Sequence, residues 1–417
     1  MPGTDGLLAR HAELTVAEAL ADTRVVAING ARQAGKSTLA RLIAARIPAS
    51  VTRLLDDPAT ARAAVDDPAG FVEHQGHMVI DEVQLVPELL RSIKVTVDLD
   101  NSPGQFLLTG SARLLAMRDL HDALPGRMEI IELWPLAQGE ITNGPDQFVD
   151  AAFTHGPAIN YSSSLRKHDY LDRVVAGGFA EAVRRAPRRR AAFFDSYLST
   201  LIARDVMQLS AIARQGELLK LLALLAGRAG YLLIPASLAG PAGIPRSTLA
   251  RYLDLLSAVF LIKSIPPWSS GRTRRAVGTP KLAFVDTGIA CHLIGQDAHR
   301  LGEPDGAAGP MLENFVLMEL ARQLTWSQTR ARLYHYRTKD QVEVDAIIET
   351  PDGRVIAIEV KAGATVRAQD LAGLRHLAAL LGDQLVAGYV LYAGQQTLPF
   401  GDKLRAIPIE ALWQLAC

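Results

Sequence analysis

The sequence of 417 residues predicts an α/β protein in three parts, each recognised by its pattern of apolar residues. Residues 24–135 alternate short apolar runs with helix-like segments, which is typical of a parallel sheet covered by helices on both faces. Residues 169–262 have a mainly helical pattern, and residues 311–417 return to strands accompanied by helices. The chain is also too long for one ordinary core, and its length suggests about three domains.

Segments rich in Gly, Pro and Ser separate the three parts. We therefore expect a first domain over residues 1–140, a linker over 141–168, a helical region over 169–295, a second linker over 296–310 and a last domain over 311–417.

The composition is that of a soluble globular protein: 49% of the residues are hydrophobic and 21% are charged. Because 44 Lys and Arg balance 44 Asp and Glu, attraction to nucleic acid must come from local basic patches, such as residues 184–190 and 271–277. The two cysteines, Cys291 and Cys417, suit neither a disulfide framework nor a zinc site. Without a signal peptide or an uncharged apolar span, we expect a cytoplasmic protein that does not enter the membrane.

A phosphate-binding loop follows the first predicted strand, RVVAIN (24–29), and opens a predicted helix over 36–47. The loop matches the spacing G-x-x-x-x-G-K-S, in which backbone N–H groups surround a phosphate at a helix N-terminus. Lys36 would reach the β- and γ-phosphates of ATP, and the Ser37 hydroxyl would bind Mg²⁺. The predicted nucleotide-binding residues are Gly30, Ala31, Arg32, Gln33, Ala34, Gly35, Lys36, Ser37 and Thr38.

A second strand, HMVIDE (77–82), ends in the carboxylates of Asp81 and Glu82. Beside a phosphate loop, Asp81 would hold Mg²⁺ through water, and Glu82 would orient and deprotonate the attacking water. An acidic pair at a helix N-terminus would explain the same residues. The neighbouring phosphate loop favours the catalytic interpretation.

Three further residues are candidates for sensing or stabilising the phosphates. Thr109 and Ser111 follow a third strand, QFLLTG (105–110), where ATPases with such a sheet place a polar sensor of the γ-phosphate. Arg127, shortly before a predicted strand at 131–133, would approach the phosphates of its own or of a neighbouring subunit. A strand-end turn explains the first two equally well, and an exposed strand-edge arginine needs no special role.

Residues 235–265 predict a helix-turn-helix with a following wing, for which KLAFVD (281–286) supplies a partner strand. The second helix and the wing loop carry side chains suited to DNA phosphates or base edges. The same fold also serves as a packing module, and both interpretations stay open. The candidate DNA-binding residues are Arg246, Thr248, Arg251, Arg272, Arg274 and Arg275.

The last domain predicts a hairpin that turns at Pro351-Asp352-Gly353 and places Asp345 and Glu359 on neighbouring strands. Lys361, two residues after Glu359, points to the same face. Two close carboxylates repel one another unless a divalent cation or a proton lies between them, so Glu313 on the preceding helix would complete a metal site beside Lys361. A simple ion pair between Glu359 and Lys361 is the alternative.

Together these motifs resemble prokaryotic AAA-type ATPases that carry a winged helix and a C-terminal PD-(D/E)XK nuclease-like domain. The resemblance covers nearly the whole chain, with small departures at Ala180 and in the turn before Arg127. It implies a P-loop NTPase domain that uses ATP and Mg²⁺, and it implies Mg²⁺ or Mn²⁺ at the nuclease-like site. The matching segments are GARQAGKST, VIDEVQ, FLLTGSA, PGRMEIIELWPL, GGFAE, ARDV, PKLAFVDTGIA, ENFVLMEL, YRTKDQVEVD and IEVK.

We therefore expect a Mg²⁺-dependent ATPase whose nucleotide state moves a winged-helix and a nuclease-like module that act on DNA. One alternative is an ATP-gated DNA nuclease that cuts through Glu313, Asp345, Glu359 and Lys361. Another is a non-catalytic, ATP-switched DNA-binding protein. The candidate partners are ATP, DNA and, if Arg127 acts in trans, further copies of the chain.

Overall fold

The computed structural model describes residues 7–110, 124–206, 215–269 and 278–417. The chain divides into two compact units. The first unit comprises Met1–Pro135, Thr200–Ala211 and Ala258–Leu261. The second unit comprises Leu136–Ser199, Ile212–Ser257 and Ile262–Cys417.

The first unit contains a five-stranded sheet in the order β2-β3-β4-β1-β5, and every neighbouring pair is parallel. The predicted parallel sheet is thereby confirmed. The strands are β1 (Val25–Gly30), β2 (Val51–Leu54), β3 (Met78–Asp81), β4 (Phe106–Gly110) and β5 (Met128–Leu133). The helices are α1 (Ala12–Asp22), α2 (Lys36–Ala44), α3 (Pro58–Asp66), α4 (Pro68–Phe71) and α5 (Leu89–Leu99).

Both faces of this sheet are buried, which explains why its central strands are apolar at consecutive positions. Val25 of β1 belongs to one apolar cluster with Ile93 of α5. The next residue, Val26, belongs to a second cluster with Leu39 of α2. Because neighbouring strands are all parallel, their carboxyl ends lie along one edge of the sheet, where the phosphate loop begins.

The rest of the described chain is largely helical, and none of its described helices is long and apolar enough to cross a membrane. The helices are α6 (Gln138–Thr142), α7 (Phe148–His155), α8 (Lys167–Ala176), α9 (Ala180–Val183), α10 (Pro187–Thr200), α11 (Gln215–Ala226), α12 (Ala236–Ala242), α13 (Arg246–Ala258), α14 (Thr287–Leu293), α15 (Ala298–Gly302), α16 (Ala308–Gln323), α17 (Ala372–Leu381) and α18 (Ala411–Gln414), with a π-helical segment at Leu201–Val206. After α12 and α13 come two antiparallel strands, β6 (Ile262–Ile265) and β7 (Lys281–Phe284).

The second unit also contains a six-stranded mixed sheet in the order β12-β13-β11-β10-β9-β8. The strands β8, β9 and β10 are antiparallel, whereas β10, β11 and β13 run parallel. The predicted hairpin is present, and Gly353 in its turn has a φ of +88°, which favours glycine. The strands are β8 (Arg332–Arg337), β9 (Glu343–Glu349), β10 (Val355–Lys361), β11 (Leu385–Tyr392), β12 (Leu398–Pro399) and β13 (Leu404–Pro408).

Both predicted linkers contain helices, so the expectation of loops over 141–168 and 296–310 is wrong. The first contains α7, whose Phe148 is fully buried, and the second contains α15. The polar residues that suggested loops are anchors: the Asp150 carboxylate accepts the Thr329 N–H at 2.7 Å, and Asp297 caps α15. The Thr329–Asp150 bond joins residues 179 positions apart, so it leaves no local sequence pattern.

The stability of the second unit depends on pH through His335 of β8. Its ring is buried, and its Nε2 atom lies 3.0 Å from the Thr279 carbonyl oxygen. Burial, with a smaller contribution from the Lys281 charge, lowers the pKa of His335 to about 4. The unfolded chain takes up this proton near pH 6.5, so the free energy of unfolding falls as the pH drops from about 6.5 to 4, by on the order of 3 kcal/mol.

We expect His335→Asn to remove this part of the acid sensitivity, measured by urea unfolding at pH 7 and pH 5. The control is His299→Asn, because the His299 side chain is 87% exposed. An unchanged pH dependence in His335→Asn would show that the histidine is not kept neutral by burial.

Candidate functional site

The loop between β1 and α2 needs its two glycines for different reasons. A Cβ atom on Gly30 would lie 2.1 Å from the Leu133 carbonyl oxygen of β5, so the close approach of two strands excludes a side chain there. Gly35, directly before α2, has a φ of +93°, which strains any other residue. The sequence predicted that both glycines serve the phosphate, whereas packing on β5 requires the first.

The Lys36 ammonium group lies inside this loop. Its Nζ donates to the carbonyl oxygens of Gly30 at 3.1 Å and Ala31 at 2.9 Å, and the side chain is buried. The positive charge therefore lies against the backbone that would enclose a phosphate, at the N-terminus of α2. Ser37 and Thr38 follow it in the first turn of that helix.

Arg10, which was not among the predicted site residues, holds the same loop through hydrogen bonds. Its guanidinium donates to the Ala34 carbonyl oxygen at 2.6 Å and to the Trp134 carbonyl oxygen at 2.7 Å. It thereby ties the loop to the residue after β5. A single arginine ahead of α1 carries no motif, so only the structure reveals this contact.

Asp81, Glu82 and Thr109 form one hydrogen-bonded group at the carboxyl edge of the sheet. The buried Thr109 hydroxyl donates to the Asp81 carboxylate and accepts the Glu82 N–H at 3.1 Å. The Gln84 amide donates to the Glu82 carboxylate. Glu82 has a φ of +59°, a conformation that non-glycine residues rarely adopt and that concentrates at functional sites.

The strand order explains this grouping. Because β4 lies between β1 and β3, the end of β4 with Thr109 separates the phosphate loop from the acidic pair. The structure therefore assembles the predicted loop, Asp81, Glu82 and Thr109 along one edge.

Arg127 lies at the opposite edge of the sheet. Its carbonyl oxygen accepts the N–H of Val25, the first residue of β1, and its side chain pairs with Asp98. At about 3.3 Å per residue, β1 separates this position from Gly30 by roughly 16 Å. The interpretation of Arg127 as a ligand for phosphates of its own chain is therefore wrong, and a role in another subunit stays a prediction.

The remaining predicted residues are divided between described and undescribed parts of the chain. Arg246 and Arg251 are exposed on α13, and Thr248 is half-buried there. Ser111, Arg272, Arg274 and Arg275 lie outside the described residues.

In the second unit, two of the three predicted metal ligands, Glu313 and Asp345, contact a lysine. The Lys281 Nζ lies 2.5 Å from a Glu313 oxygen, 3.2 Å from an Asp345 oxygen and 3.1 Å from a Glu343 oxygen. Lys361 pairs with Glu359 at 2.8 Å. Within the described ranges, no group of three or more His, Cys, Asp or Glu side chains has the arrangement of a metal site.

Burial and mutual repulsion shape the charges of this acidic cluster, which we define as Glu313, Glu343, Asp345 and Glu359. Burial first, and the Asp345 carboxylate second, raise the pKa of Glu313 and the pKa of Glu359 to about 8. Burial alone would lower the pKa of Lys281, but Asp345, Glu313 and Glu343 together raise it well above its usual range. Lys281 is therefore charged at neutral pH.

Lys281 and Glu343 were not among the predicted site residues, although one signal was present. In PKLAFVD, Lys281 begins an otherwise apolar strand that is buried at every position. A lysine is almost never fully buried unless it is paired, so such a strand indicates a carboxylate partner elsewhere in the chain.

Comparison with known proteins identifies the fold of the region that contains the first of these sites. Residues 22–142 match a family model described as an AAA domain. This part of the chain has the P-loop NTPase fold. Residues 167–300 and 308–412 match two models described as domains of unknown function, DUF8612 and DUF4143.

The chain is also similar to two curated mycobacterial proteins. One is the uncharacterized protein Rv2008c of Mycobacterium tuberculosis and the other the uncharacterized protein Mb2031c of Mycobacterium bovis. Each is 28% identical over 97% of this chain and 84% of the relative. A solved Walker-type ATPase of Pyrococcus abyssi is 15% identical, with a TM-score of 0.43 over 70% of this chain and 97% of that protein.

Proposed function

We propose that this protein is a Mg²⁺-dependent ATPase whose nucleotide state controls a winged-helix and a nuclease-like module that act on DNA. The observation that carries the ATPase proposal is the arrangement at the carboxyl edge of the first sheet. There the Lys36 ammonium lies within a glycine loop, and Thr109 orders Asp81 and Glu82 on the strand beyond β4.

The residues at this edge suit Mg²⁺. The Ser37 hydroxyl on α2 and the Asp81 carboxylate at the end of β3 are oxygen donors, which Mg²⁺ prefers. These two side chains would hold the ion together with ATP, and the bound ion would supply neutralisation of the phosphate charge.

Each of the residues at the carboxyl edge of the first sheet would then have a distinct role in ATP hydrolysis. Lys36 would exchange its contacts with the loop carbonyls for the β- and γ-phosphate oxygens, which carry negative charge. Glu82 would accept a proton from the attacking water, and Gln84 would restrain its carboxylate. Arg10 would keep the loop in place through Ala34.

Thr109 is better described as a positioning residue than as a sensor of the γ-phosphate. Its hydroxyl proton is directed to Asp81, and its oxygen accepts the Glu82 N–H. Both bonds hold acidic residues in place and leave no hydroxyl proton for a phosphate.

The ATPase proposal is tested by measuring phosphate release from ATP by the purified full chain, with Mg²⁺ and after chelation with EDTA. We expect turnover that requires the metal. Turnover that is equal in EDTA would contradict the roles of Ser37 and Asp81.

Contact with DNA is proposed from α12, α13 and the β6–β7 hairpin, which have the order of a helix-turn-helix followed by a wing. Arg246 and Arg251 are exposed on α13, the helix that would face the groove. As phosphate contacts they would contribute to affinity in a salt-dependent way without reading sequence.

We expect the double variant Arg246→Ala/Arg251→Ala to weaken DNA binding and to reduce the slope of log affinity against log salt concentration by about 1 to 2. The measurement is fluorescence anisotropy with a labelled duplex at several salt concentrations. The matched control is Arg62→Ala/Arg91→Ala, which removes the same charge from exposed positions of α3 and α5, outside the predicted basic patches. Equal effects of the two double variants would mean that net charge, and not α13, governs binding.

A further inference from the structure

The acidic cluster of the second unit has the carboxylates expected of a metal site, but the cation at its centre is the ammonium group of Lys281. Its carboxylates come from α16 (Glu313), β9 (Glu343 and Asp345) and β10 (Glu359). The central cation comes from β7, on the hairpin that precedes α14.

The number of carboxylates around the Lys281 ammonium group equals the number of its N–H donors. An ammonium group has three N–H donors, and the Lys281 Nζ lies within 3.2 Å of oxygens from three different carboxylates. The Lys281 side chain is 0% exposed. The backbone at Lys281 is held in place because β7 pairs with β6 and Lys281 itself forms a β-bridge with Leu232.

Most other oxygens of the cluster have partners within the chain, whereas the buried Glu359 Oε2 has no hydrogen-bond partner. Asp345 uses its second oxygen to accept the Val360 N–H at 2.9 Å. Arg337 pairs with Glu343 at 2.9 Å, and Lys361 pairs with Glu359. Three basic side chains thus face four carboxylates, and a proton retained on one buried carboxyl group would bring the cluster to neutrality.

We propose that the Lys281 ammonium occupies the position of the divalent cation in this nuclease-like site, so that lysine and metal exclude one another. A divalent ion bound between Glu313 and Asp345 would have to share their oxygens with a buried positive charge a few ångströms away, at high electrostatic cost. The site is therefore a metal-free anchor that holds the β6–β7 hairpin to the second sheet. The native chain does not cut DNA with Mg²⁺ or Mn²⁺ while Lys281 is in place.

The test is Mn²⁺ binding to the full chain without nucleotide, followed through the loss of the EPR signal of the free ion and through the melting temperature. The variants are Lys281→Met, which removes the ammonium and keeps an unbranched stem, and Asp345→Asn, which removes a shared carboxylate. The matched control is Lys361→Met, since Lys361 pairs with Glu359 rather than with Glu313 or Glu343. Binding that survives Asp345→Asn belongs to another site, such as the nucleotide site.

We expect wild type and Lys361→Met to show no Mn²⁺ binding that depends on Asp345. Lys281→Met should gain one Mn²⁺ that is lost again when Asp345→Asn is added. At a hundredfold excess of Mn²⁺ over the dissociation constant, its melting temperature should rise by on the order of 5 °C.

Two results would overturn the proposal. The first is Mn²⁺ binding by wild type that Asp345→Asn abolishes, because lysine and metal would then coexist. The second is a folded Lys281→Met that gains no Mn²⁺, because the lysine would then not occupy a cation position. If Lys281→Met does not fold even with Mn²⁺ present, the comparison of wild type with Asp345→Asn decides alone.

Discussion

Replacing Glu82 by glutamine is expected to lower the rate of ATP hydrolysis by about 100- to 10,000-fold, the usual contribution of a positioned general base. The amide keeps the size of the side chain but cannot accept a proton from water. Binding of ATP should persist, because the loop around Lys36 is untouched. The measurement pairs steady-state phosphate release with equilibrium binding of a fluorescent ATP analogue.

The control for this variant is Glu88→Gln, the same chemical change at an exposed glutamate six residues further along. It should leave both hydrolysis and binding unchanged. Hydrolysis by Glu82→Gln at the wild-type rate would assign the base to another residue, and the strained backbone at Glu82 would then need another explanation.

Lys36→Ala should weaken ATP binding by about 10- to 100-fold and abolish measurable turnover. The estimate follows because a hydrogen bond to a charged group contributes about 1.5 to 3 kcal/mol, which corresponds to that range of dissociation constants. Lys36 is the charged group inside the loop, and alanine has no N–H donor or positive charge to offer the phosphate oxygens. Isothermal titration with ATP and Mg²⁺ measures the change.

Lys94→Ala serves as the control, since Lys94 is a half-buried lysine of α5 in the same unit. If Lys36→Ala bound ATP as tightly as this control, the loop between β1 and α2 would not be the nucleotide site. The two variants also separate functions: Glu82→Gln should bind ATP normally without turnover, whereas Lys36→Ala should bind ATP more weakly and show no measurable turnover.

The nucleotide half of the protein was predictable because its determinants are local in sequence. Strands buried on both faces leave continuous apolar runs, and the loop spacing from Gly30 to Ser37 reflects backbone geometry at one strand–helix junction. Asp81 and Glu82 directly follow an apolar run, so the sequence alone identified them as an acidic pair at the end of a strand. The sequence did not predict that Thr109 links Asp81 and Glu82 through hydrogen bonds. That contact depends on the position of β4 between β1 and β3, which only the structure shows.

The errors arose where tertiary contacts decide. Arg127 resembled a phosphate ligand, but the direction of β5 places it at the far edge of the sheet, beside Asp98. The carboxylates Glu313 and Asp345 were grouped together from their order in the chain. Their partner, Lys281, lies 32 residues before the first of them, and no local pattern joins β7 to a distant acidic cluster.

The most direct test of the central claim is a single experiment on three preparations of the full chain: wild type, Lys36→Ala and Glu82→Gln. Each is mixed with radiolabelled ATP and Mg²⁺, and bound nucleotide and released phosphate are measured from the same samples. We expect binding and release by wild type, binding with strongly reduced release by Glu82→Gln, and weakened binding without measurable release by Lys36→Ala. Phosphate release by Lys36→Ala at the wild-type rate would contradict this expectation.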